Sequence, residues 1–142
     1  MKLVIGNDHA GVDLKNTIKE HLRKQGYEVI NVGTDTLDSV DYPDIARKVS
    51  EVVLDGKAQY GILICGTGIG ISISANKVEG IRAALAHNEF TARLSRLHND
   101  ANIIALGARV IGDELAKACV DTFIATEFEG GRHARRVGKI EG

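Results

Sequence analysis

Apolar and polar positions follow two alternating patterns along this chain. Short continuous apolar runs, typical of strands buried on both faces, are separated by segments in which apolar residues recur every three or four positions, as on one side of a helix. The predicted strands cover residues 2–6, 27–32, 61–65, 81–86 and 102–106. The predicted helices cover residues 10–25, 43–54, a short segment ending at 77, 89–97 and 113–125.

This alternation predicts the fold class. Strands that alternate with helices form a parallel sheet whose two faces are covered by helices. We therefore predict a single α/β domain over residues 1–142, a three-layer α/β/α sandwich with a five-stranded parallel sheet of Rossmann-like type. The pattern leaves the order of the strands open.

Composition narrows the classes of function. The 142 residues are 26% charged with a formal net charge of −1, so no excess of positive charge attracts nucleic acid or an anionic membrane. Aromatic residues make up only 4%, which disfavours a platform for stacking bases, and no apolar run is long enough to cross a bilayer. Two cysteines without an export signal predict reduced thiols and a cytoplasmic location.

The junction between the third predicted strand and the following helix carries the clearest chemistry. The strand ends in Cys65 and continues directly into the loop GTGIG at 66–70. Ligands of open α/β sheets bind at the carboxyl ends of strands, and the N–H groups of a glycine turn can converge on an anion. We expect these amides to favour the thiolate form of Cys65 and to leave it accessible. Cys119 lies on an apolar helix and is expected to be a packing residue.

The loop does not match the nucleotide-binding motifs. Its third glycine comes one residue too early for GxGxxG, no acidic residue ends the second strand, and no GK[ST] follows. A small anion or an enolate is therefore the better ligand for these amides.

Polar residues elsewhere fit a small phosphorylated ligand. Asp8 and His9 follow the first strand, at the sheet edge where the loop lies. Arg132 and Arg136 would share one face of a helix, which suits a clamp on a phosphate, and the alternative is a solvated basic tail. Arg109, after the fifth strand, could join them. The histidines form no HxH or HxxxH pair, so no metal site is expected.

Several blocks, in order along the chain, carry a resemblance to a known family. They are GNDHAG at 6–11, DYPD at 41–44, ICGTGIGISISANK at 64–77, GIRA at 80–83, LSRLHNDAN at 94–102, GARVIG at 107–112 and EGGRHARRV at 129–137. Over nearly the whole chain they resemble the family of type B ribose-5-phosphate isomerases and galactose-6-phosphate isomerase subunits.

The resemblance implies an aldose–ketose isomerase without metal or other cofactor, which interconverts D-ribose 5-phosphate and D-ribulose 5-phosphate through a cis-enediolate. Cys65 would remove the C2 proton and Thr67 would assist at the sugar oxygens. The oxyanion would be held by the loop amides, among them those of Gly66, Gly68 and Gly70. Some relatives use a carboxylate of the loop as the base; the cysteine here resembles the other type.

The remaining roles implied by the resemblance concern the rest of the sugar. His98 would help to open the furanose ring, and Asp8 and Asn99 would bind the hydroxyl groups. The phosphate would be held by His9, Arg132 and Arg136, with Arg109 as a further candidate. Tyr42 matches a family position near the pocket.

The predicted topology separates two of these residues. Cys65 is expected at the carboxyl edge of the sheet, whereas His98 ends a helix that runs back against the strands and is expected near the amino edge. A strand of five or six residues spans roughly 17–20 Å. If both residues act on one sugar, they come from different subunits, so we expect a homodimer and leave a tetramer open.

Other substrates and functions stay open at this point. A six-carbon aldose phosphate, such as allose or galactose 6-phosphate, differs mainly in the pocket depth it needs, a difference worth about 1–3 kcal/mol. A phosphate-ligand sensor would bind without turnover, but it would not need a thiol base. A phosphatase-type cysteine nucleophile is disfavoured because Ile71 stands where its arginine would be expected.

Overall fold

One parallel sheet lies between two layers of helices in the computed structural model, which describes all residues 1–142. The strands are β1 Lys2–Asn7, β2 Glu28–Asn31, β3 Tyr60–Cys65, β4 Ala83–Leu85 and β5 Ile103–Gly107. The helices are α1 Val12–Lys24, α2 Tyr42–Leu54, α3 Ile69–Asn76, α4 Glu89–Leu97, α5 Asp113–Ala125 and α6 Arg132–Glu141. The strand order, which the sequence left open, is β2-β1-β3-β5-β4.

The predicted three-layer α/β fold is confirmed, with differences at the ends of several elements and with α6 as an additional helix. The first helix is preceded by a single 3-10 turn, His9–Gly11, because the Asp8 carboxylate accepts from the Ala10 N–H and caps that turn. The fourth strand is shorter than predicted. β4 is an edge strand, and the Arg82 N–H before it donates to the Asn102 side chain instead of to a neighbouring strand.

The sheet carries apolar side chains on both faces, as a strand layer between two helix layers does. Leu3 and Ile5 of β1 belong to the core shared with α1, α4 and α5, whereas Val4 belongs to the core shared with α2 and α3. Every residue of β3 is buried, because this strand is the central one. Cys65, its last residue, belongs to the α2/α3 side.

The strand order creates a place for a ligand between β1 and β3. From β1 the chain moves outward to β2 and then crosses to β3 on the other side of β1. Ligands of open α/β sheets bind at the carboxyl ends of the strands at such a reversal. The Asp8 N–H donates to the Ile64 carbonyl (3.1 Å), and Cys65 pairs with Gly107 of β5. The ends of β1, β3 and β5 therefore lie together at one edge.

α4 leads away from that edge to the opposite one. It begins after its cap Asn88, which follows β4, and it ends just before the segment that enters β5. Ile103, the first residue of β5, pairs with Gly61 and Ala83 near the beginnings of β3 and β4. The prediction that His98 lies near the amino edge is confirmed. None of the helices combines the length and the apolar character that crossing a membrane requires.

Candidate active site

In the turn after β3, one backbone N–H group donates to the Cys65 sulfur and another to the neighbouring Thr67 hydroxyl. The Gly68 N–H donates to Cys65 Sγ (3.2 Å), and the Ile69 N–H donates to Thr67 Oγ1 (3.2 Å). The hydroxyl proton of Thr67 is thereby left for another acceptor. Gly70 lies in the first turn of α3, where N–H groups have no partner within the helix. The turn thus combines a thiol, a hydroxyl and amides that can bind an anion.

Two glycines are required by the tight path of this turn. Gly68 has φ of 79°, a left-handed conformation, and a Cβ there would lie 2.6 Å from Leu85. A Cβ on Gly107 would lie 2.6 Å from the Thr67 carbonyl group. The turn therefore packs directly on the end of β5, which fixes its position relative to the sheet.

The end of β1 contributes an acid and a histidine to the same edge. Asp8 is buried, and its carboxylate is held by the Ala10 N–H at 3.0 Å. The Val40 N–H donates to His9 Nδ1 (3.3 Å), so the ring proton lies on Nε2 in the neutral tautomer. His9 therefore presents a hydrogen-bond donor on its other side, as a phosphate ligand does.

Tyr42 and Arg109 flank the turn from two sides. A Cβ on Gly70 would meet the Tyr42 ring at 2.6 Å, and a Cβ on Gly66 would meet Arg109 Nη1 at 3.2 Å. We refer to these residues at the carboxyl edge as the Cys65 group. Its members are Asp8, His9, Tyr42, Cys65, Gly66, Thr67, Gly68, Gly70 and Arg109.

One expectation about Cys65 is wrong for the single chain. The sequence predicted an accessible thiolate, but the residue is only 5% exposed. Its side chain points towards α2 and α3, and the turn covers the sulfur from outside through the Gly68 N–H.

The remaining predicted residues form a second cluster at the amino edge. The His98 ring stacks on the His133 ring, with centroids 4.2 Å apart and planes 10° apart. Glu129 Oε2 lies 3.9 Å from His98 Nε2, and Glu129 Oε1 lies 3.9 Å from His133 Nε2. Asn99 follows His98 and borders a cleft of about 580 Å³ beside α6.

The predicted arginine pair belongs to this second cluster. Arg132 begins α6, the helix that also carries His133, and Arg136 follows one turn later. The helix required for the predicted shared face is thus present. Burial and the charges of His98 and Arg132 lower the pKa of His133. We call His98, Asn99, Glu129, Arg132, His133 and Arg136 the His98 group.

The two groups are separated within one chain. β5 alone, from Ile103 to Gly107, covers about 13 Å at the usual rise per strand residue. The phosphate residues proposed from the sequence are divided, since His9 and Arg109 lie with Cys65 whereas Arg132 and Arg136 lie with His98.

Sequence reasoning missed two residues that shape the Cys65 edge. The Gly107 N–H donates to His87 Nε2 (2.9 Å), and burial lowers the pKa of this histidine. Lys15 is fully buried, donates to the Thr34 carbonyl (2.8 Å) and pairs with Asp35 (2.5 Å), which anchors the loop before Tyr42. Both contacts join residues that are distant in the sequence, so no local sequence pattern predicts them.

Comparison with known proteins places this chain in a family. A model of the ribose/galactose isomerase family matches residues 3–140. The chain belongs to the ribose/galactose isomerase family. Ribose-5-phosphate isomerase B of Escherichia coli is 50% identical over 139 residues, which cover 98% of this chain and 93% of that protein.

Two further members of the ribose/galactose isomerase family show its range. D-erythrulose-4-phosphate isomerase of Pectobacterium atrosepticum is 49% identical over 141 residues, covering 99% of this chain and 93% of that protein. The solved structure of ribose-5-phosphate isomerase B from Clostridium thermocellum superimposes with a TM-score of 0.98 at 60% identity, covering 99% of this chain and 95% of that one. The resemblance stated from the sequence is confirmed.

Proposed function

We propose that this protein is an aldose–ketose isomerase that interconverts D-ribose 5-phosphate and D-ribulose 5-phosphate without a metal. The observation that carries this proposal is the Cys65 turn, where a sulfur, a hydroxyl and backbone donors meet at the carboxyl edge of the sheet. Relatives that are named as isomerases of phosphorylated sugars support it over the whole chain length.

The proposed reaction has two stages, ring opening and proton transfer, and different residues carry out each stage. His98 moves a proton between the ring oxygen and the anomeric hydroxyl, which opens the furanose to the aldehyde. The Cys65 thiolate then removes the C2 proton, and the electron pair forms the C1–C2 double bond of a cis-enediolate. Cys65 returns the proton to C1, and the C2 hydroxyl passes its own proton to the C1 oxygen, so that C2 becomes the ketone and C1 a CH2OH group.

The charge that develops on the C1 oxygen needs preorganised donors. In this proposal the amides at Gly66 and Gly70 supply them, together with the Gly68 amide once it turns from the Cys65 sulfur to the oxyanion, and the Thr67 hydroxyl is a further donor. Such a donor contributes roughly 3–4 kcal/mol to transition-state stabilisation in other enzymes. The donors take the place that a Lewis-acidic metal occupies in other isomerases.

The site is proposed to be shared between two subunits. The His98 group and the Cys65 group lie at opposite edges of the sheet, further apart than one sugar phosphate can bridge. A two-fold dimer brings the His98 group of one subunit to the Cys65 group of the other and forms two equal sites. In this arrangement His9, Arg109, Arg132 and Arg136 converge on one phosphate.

An apolar surface supports the pairing of two copies. Ile69 and Ile73, one turn apart on α3, are 51% and 56% exposed, and Leu85 at the edge of the sheet is 41% exposed. Leu85 packs beside the Gly68 turn, so this surface continues directly from the Cys65 group. A second copy of the chain that covers it would also complete the site. The proposed location is the cytoplasm, where a thiol base stays reduced.

Sugar phosphates with four or six carbon atoms are alternative substrates to ribose 5-phosphate. The relative named for D-erythrulose 4-phosphate favours a four-carbon substrate as the second candidate, and the six-carbon aldose phosphates considered from the sequence remain a third. One carbon more or less changes selectivity by about 1–3 kcal/mol, or roughly 10–200-fold. The ranking of kcat/KM over a panel of four-, five- and six-carbon sugar phosphates decides between them.

The reaction itself is tested in deuterium oxide. Isomerisation of ribose 5-phosphate through an enediolate exposes the transferred proton to solvent, so deuterium should appear at C1 of the product. The Cys65→Ala variant should lose turnover by about 10²–10⁴-fold and still bind the sugar phosphate, whereas Cys119→Ala should retain activity. Full activity should survive exhaustive chelation. Normal turnover by Cys65→Ala, or activity that depends on an added metal, would contradict the proposal.

A further inference from the structure

Two histidines and a carboxylate in the His98 group are arranged as metal ligands are. His98, Glu129 and His133 can each offer one ligand atom, and these three atoms lie within 4.8 Å of one another. The two histidine nitrogens approach different oxygens of Glu129, each at 3.9 Å. Glu129 lies in the segment before α6, and the chain turns at Gly130 and Gly131, both with positive φ, before His133 in the first turn of that helix.

His133 provides a second, independent observation. Its side chain is only 7% exposed, and its Nε2 is buried without a hydrogen-bond partner. Buried polar atoms are nearly always paired, so an unpaired one needs an explanation. This nitrogen faces Glu129, in the space that a shared ligand would fill.

We propose that His98, Glu129 and His133 bind a divalent transition-metal cation of the Zn²⁺ type, and that the bound cation inhibits the enzyme. Two imidazoles and one carboxylate are a common protein ligand set for Zn²⁺, with a fourth position left to water. The inhibitory part rests on the proposed function, because it assumes that His98 opens the sugar ring. The binding part does not.

Movements of the exposed side chains can close the cluster on a cation. Ligand distances of about 2.0–2.2 Å place tetrahedral ligand atoms roughly 3.3 Å apart, whereas each histidine nitrogen now lies 3.9 Å from a Glu129 oxygen and the whole set lies within 4.8 Å. His133 is fixed by burial, whereas the His98 and Glu129 side chains are 38% and 49% exposed and can move.

Ligation of the metal by His98 explains the inhibition. The two rings lie nearly parallel, so the His98 ring must turn before both nitrogens can point at one ion. A His98 nitrogen that ligates a metal can no longer carry the proton of ring opening. Arg132 and Arg136 add positive charge nearby, so we expect weaker binding than at a structural zinc site.

Calorimetric titration with Zn²⁺ alone, in buffer without phosphate, tests the site directly. The wild type should bind one ion per chain in this site, and His133→Gln and Glu129→Gln should each weaken binding roughly tenfold or more. His21→Gln is the matched control, because it removes another histidine–carboxylate pair, the one with Asp121 at 2.9 Å. It should bind Zn²⁺ as the wild type does.

The Cys65 thiol is the competing ligand, and a second variant addresses it. Cys65→Ser should retain the Zn²⁺ site, and Co²⁺ bound to the wild type should show the weak absorption of nitrogen and oxygen ligands without a strong sulfur-to-metal band. Binding that disappears in Cys65→Ser but persists in His133→Gln would overturn the proposal, as would the absence of any binding.

Inhibition is measured on ribose 5-phosphate, with each variant compared to its own rate without metal. The wild type should lose activity as the site fills, and Glu129→Gln should need about tenfold more Zn²⁺ for the same loss. Binding without loss of activity would overturn the inhibitory part. A chain with no isomerase activity at all would overturn the proposed function and the inhibition together, while calorimetry would still decide whether the metal site exists.

Discussion

The two thiols of this chain occupy opposite settings. Cys65 ends a strand and receives a hydrogen bond from the Gly68 N–H. Cys119 is 0% exposed in the core, where burial, with a smaller contribution from the charge of Glu89, raises its pKa to about 11. The proposed chemistry therefore assigns a reactive role to Cys65, whereas Cys119 is a packing residue of the core.

This contrast predicts selective alkylation. At about pH 8 a thiol with so high a pKa is almost wholly protonated, so iodoacetamide should leave Cys119 unmodified until the protein unfolds. Cys65, at the edge of the sheet, should be modified in the folded protein, but slowly because only 5% of the residue is exposed. Peptide mass spectrometry measures both sites in one sample, and ribose 5-phosphate should slow the modification of Cys65. Equal labelling of the two cysteines in the folded protein would contradict this account.

Local sequence was sufficient for the residues whose neighbours lie close in the chain. Cys65 and its turn are one continuous segment, so their juxtaposition could be predicted, although the burial of the sulfur could not. His87 contacts Gly107 and His133 lies beside Glu129 only once the chain has folded, so neither contact could be predicted. Glu129 precedes α6, so no helical spacing connects it to His133, and only the folded chain places both beside His98.

At the scale of elements, one hydrogen bond connects the segment after β4 to the end of β5. The Gly107 N–H donates to His87 Nε2, which accepts only while the ring nitrogen is unprotonated. Burial lowers the pKa of His87, so the folded state disfavours its protonated form. Because Gly107 packs on the Thr67 carbonyl, this bond also supports the turn after Cys65.

The sign of the pH dependence follows from that lowered pKa. The unfolded state takes up the proton first, so the contribution of His87 is complete above the ordinary histidine pKa of about 6.5 and is lost as the pH falls through the lower folded-state value. Chemical denaturation at a series of pH values should show wild-type stability decreasing over this acidic range more steeply than that of His87→Gln, whose amide oxygen can still accept. Parallel curves would exclude this role.

The α6 helix carries the proposed phosphate clamp on its first turns. Arg132→Ala and Arg136→Ala should each lower kcat/KM by an amount corresponding to about 1.5–3 kcal/mol, the usual contribution of a hydrogen bond to a charged group. Arg135→Ala is the matched control, since it removes an exposed arginine from the same helix. Steady-state kinetics of the three variants should separate the pair from the control, and three equal effects would return the arginines to the role of a solvated tail.

Whole elements were easier to predict than their ends. α1 and α2 could be predicted from their periodic apolar positions, because each helix buries one side. β3 could be predicted from its continuous apolar run, because this strand is buried on both faces. β4 was predicted too long because edge pairing and the Asn102 side chain decide where it begins. Lys15, fully buried among the apolar residues of α1, shows that a charge can be placed in a core when tertiary partners satisfy it.

At the scale of the whole molecule, the fold places the Cys65 group and the His98 group at opposite edges of the sheet. The strand order β2-β1-β3-β5-β4 gathers the ends of β1, β3 and β5 at one edge, while α4 and α6 place the His98 group at the other. From the direction of the predicted helix before His98, the sequence predicted that Cys65 and His98 lie at opposite edges of the sheet. It could not predict the strand order, because long-range pairing leaves no local pattern.

The central claim is that each catalytic site combines the Cys65 group of one subunit with the His98 group of another, and complementation tests it most directly. Inactive Cys65→Ala and inactive His98→Ala are unfolded, mixed and refolded together. In a mixed dimer one site collects both defects and the other collects neither, so activity should recover to about one quarter of the wild-type value. Cys65→Ala mixed with Asp8→Ala is the control, because both defects lie in the same group and every site stays defective. No recovery from the first mixture, with mixed dimers demonstrated by mass spectrometry, would contradict the shared site.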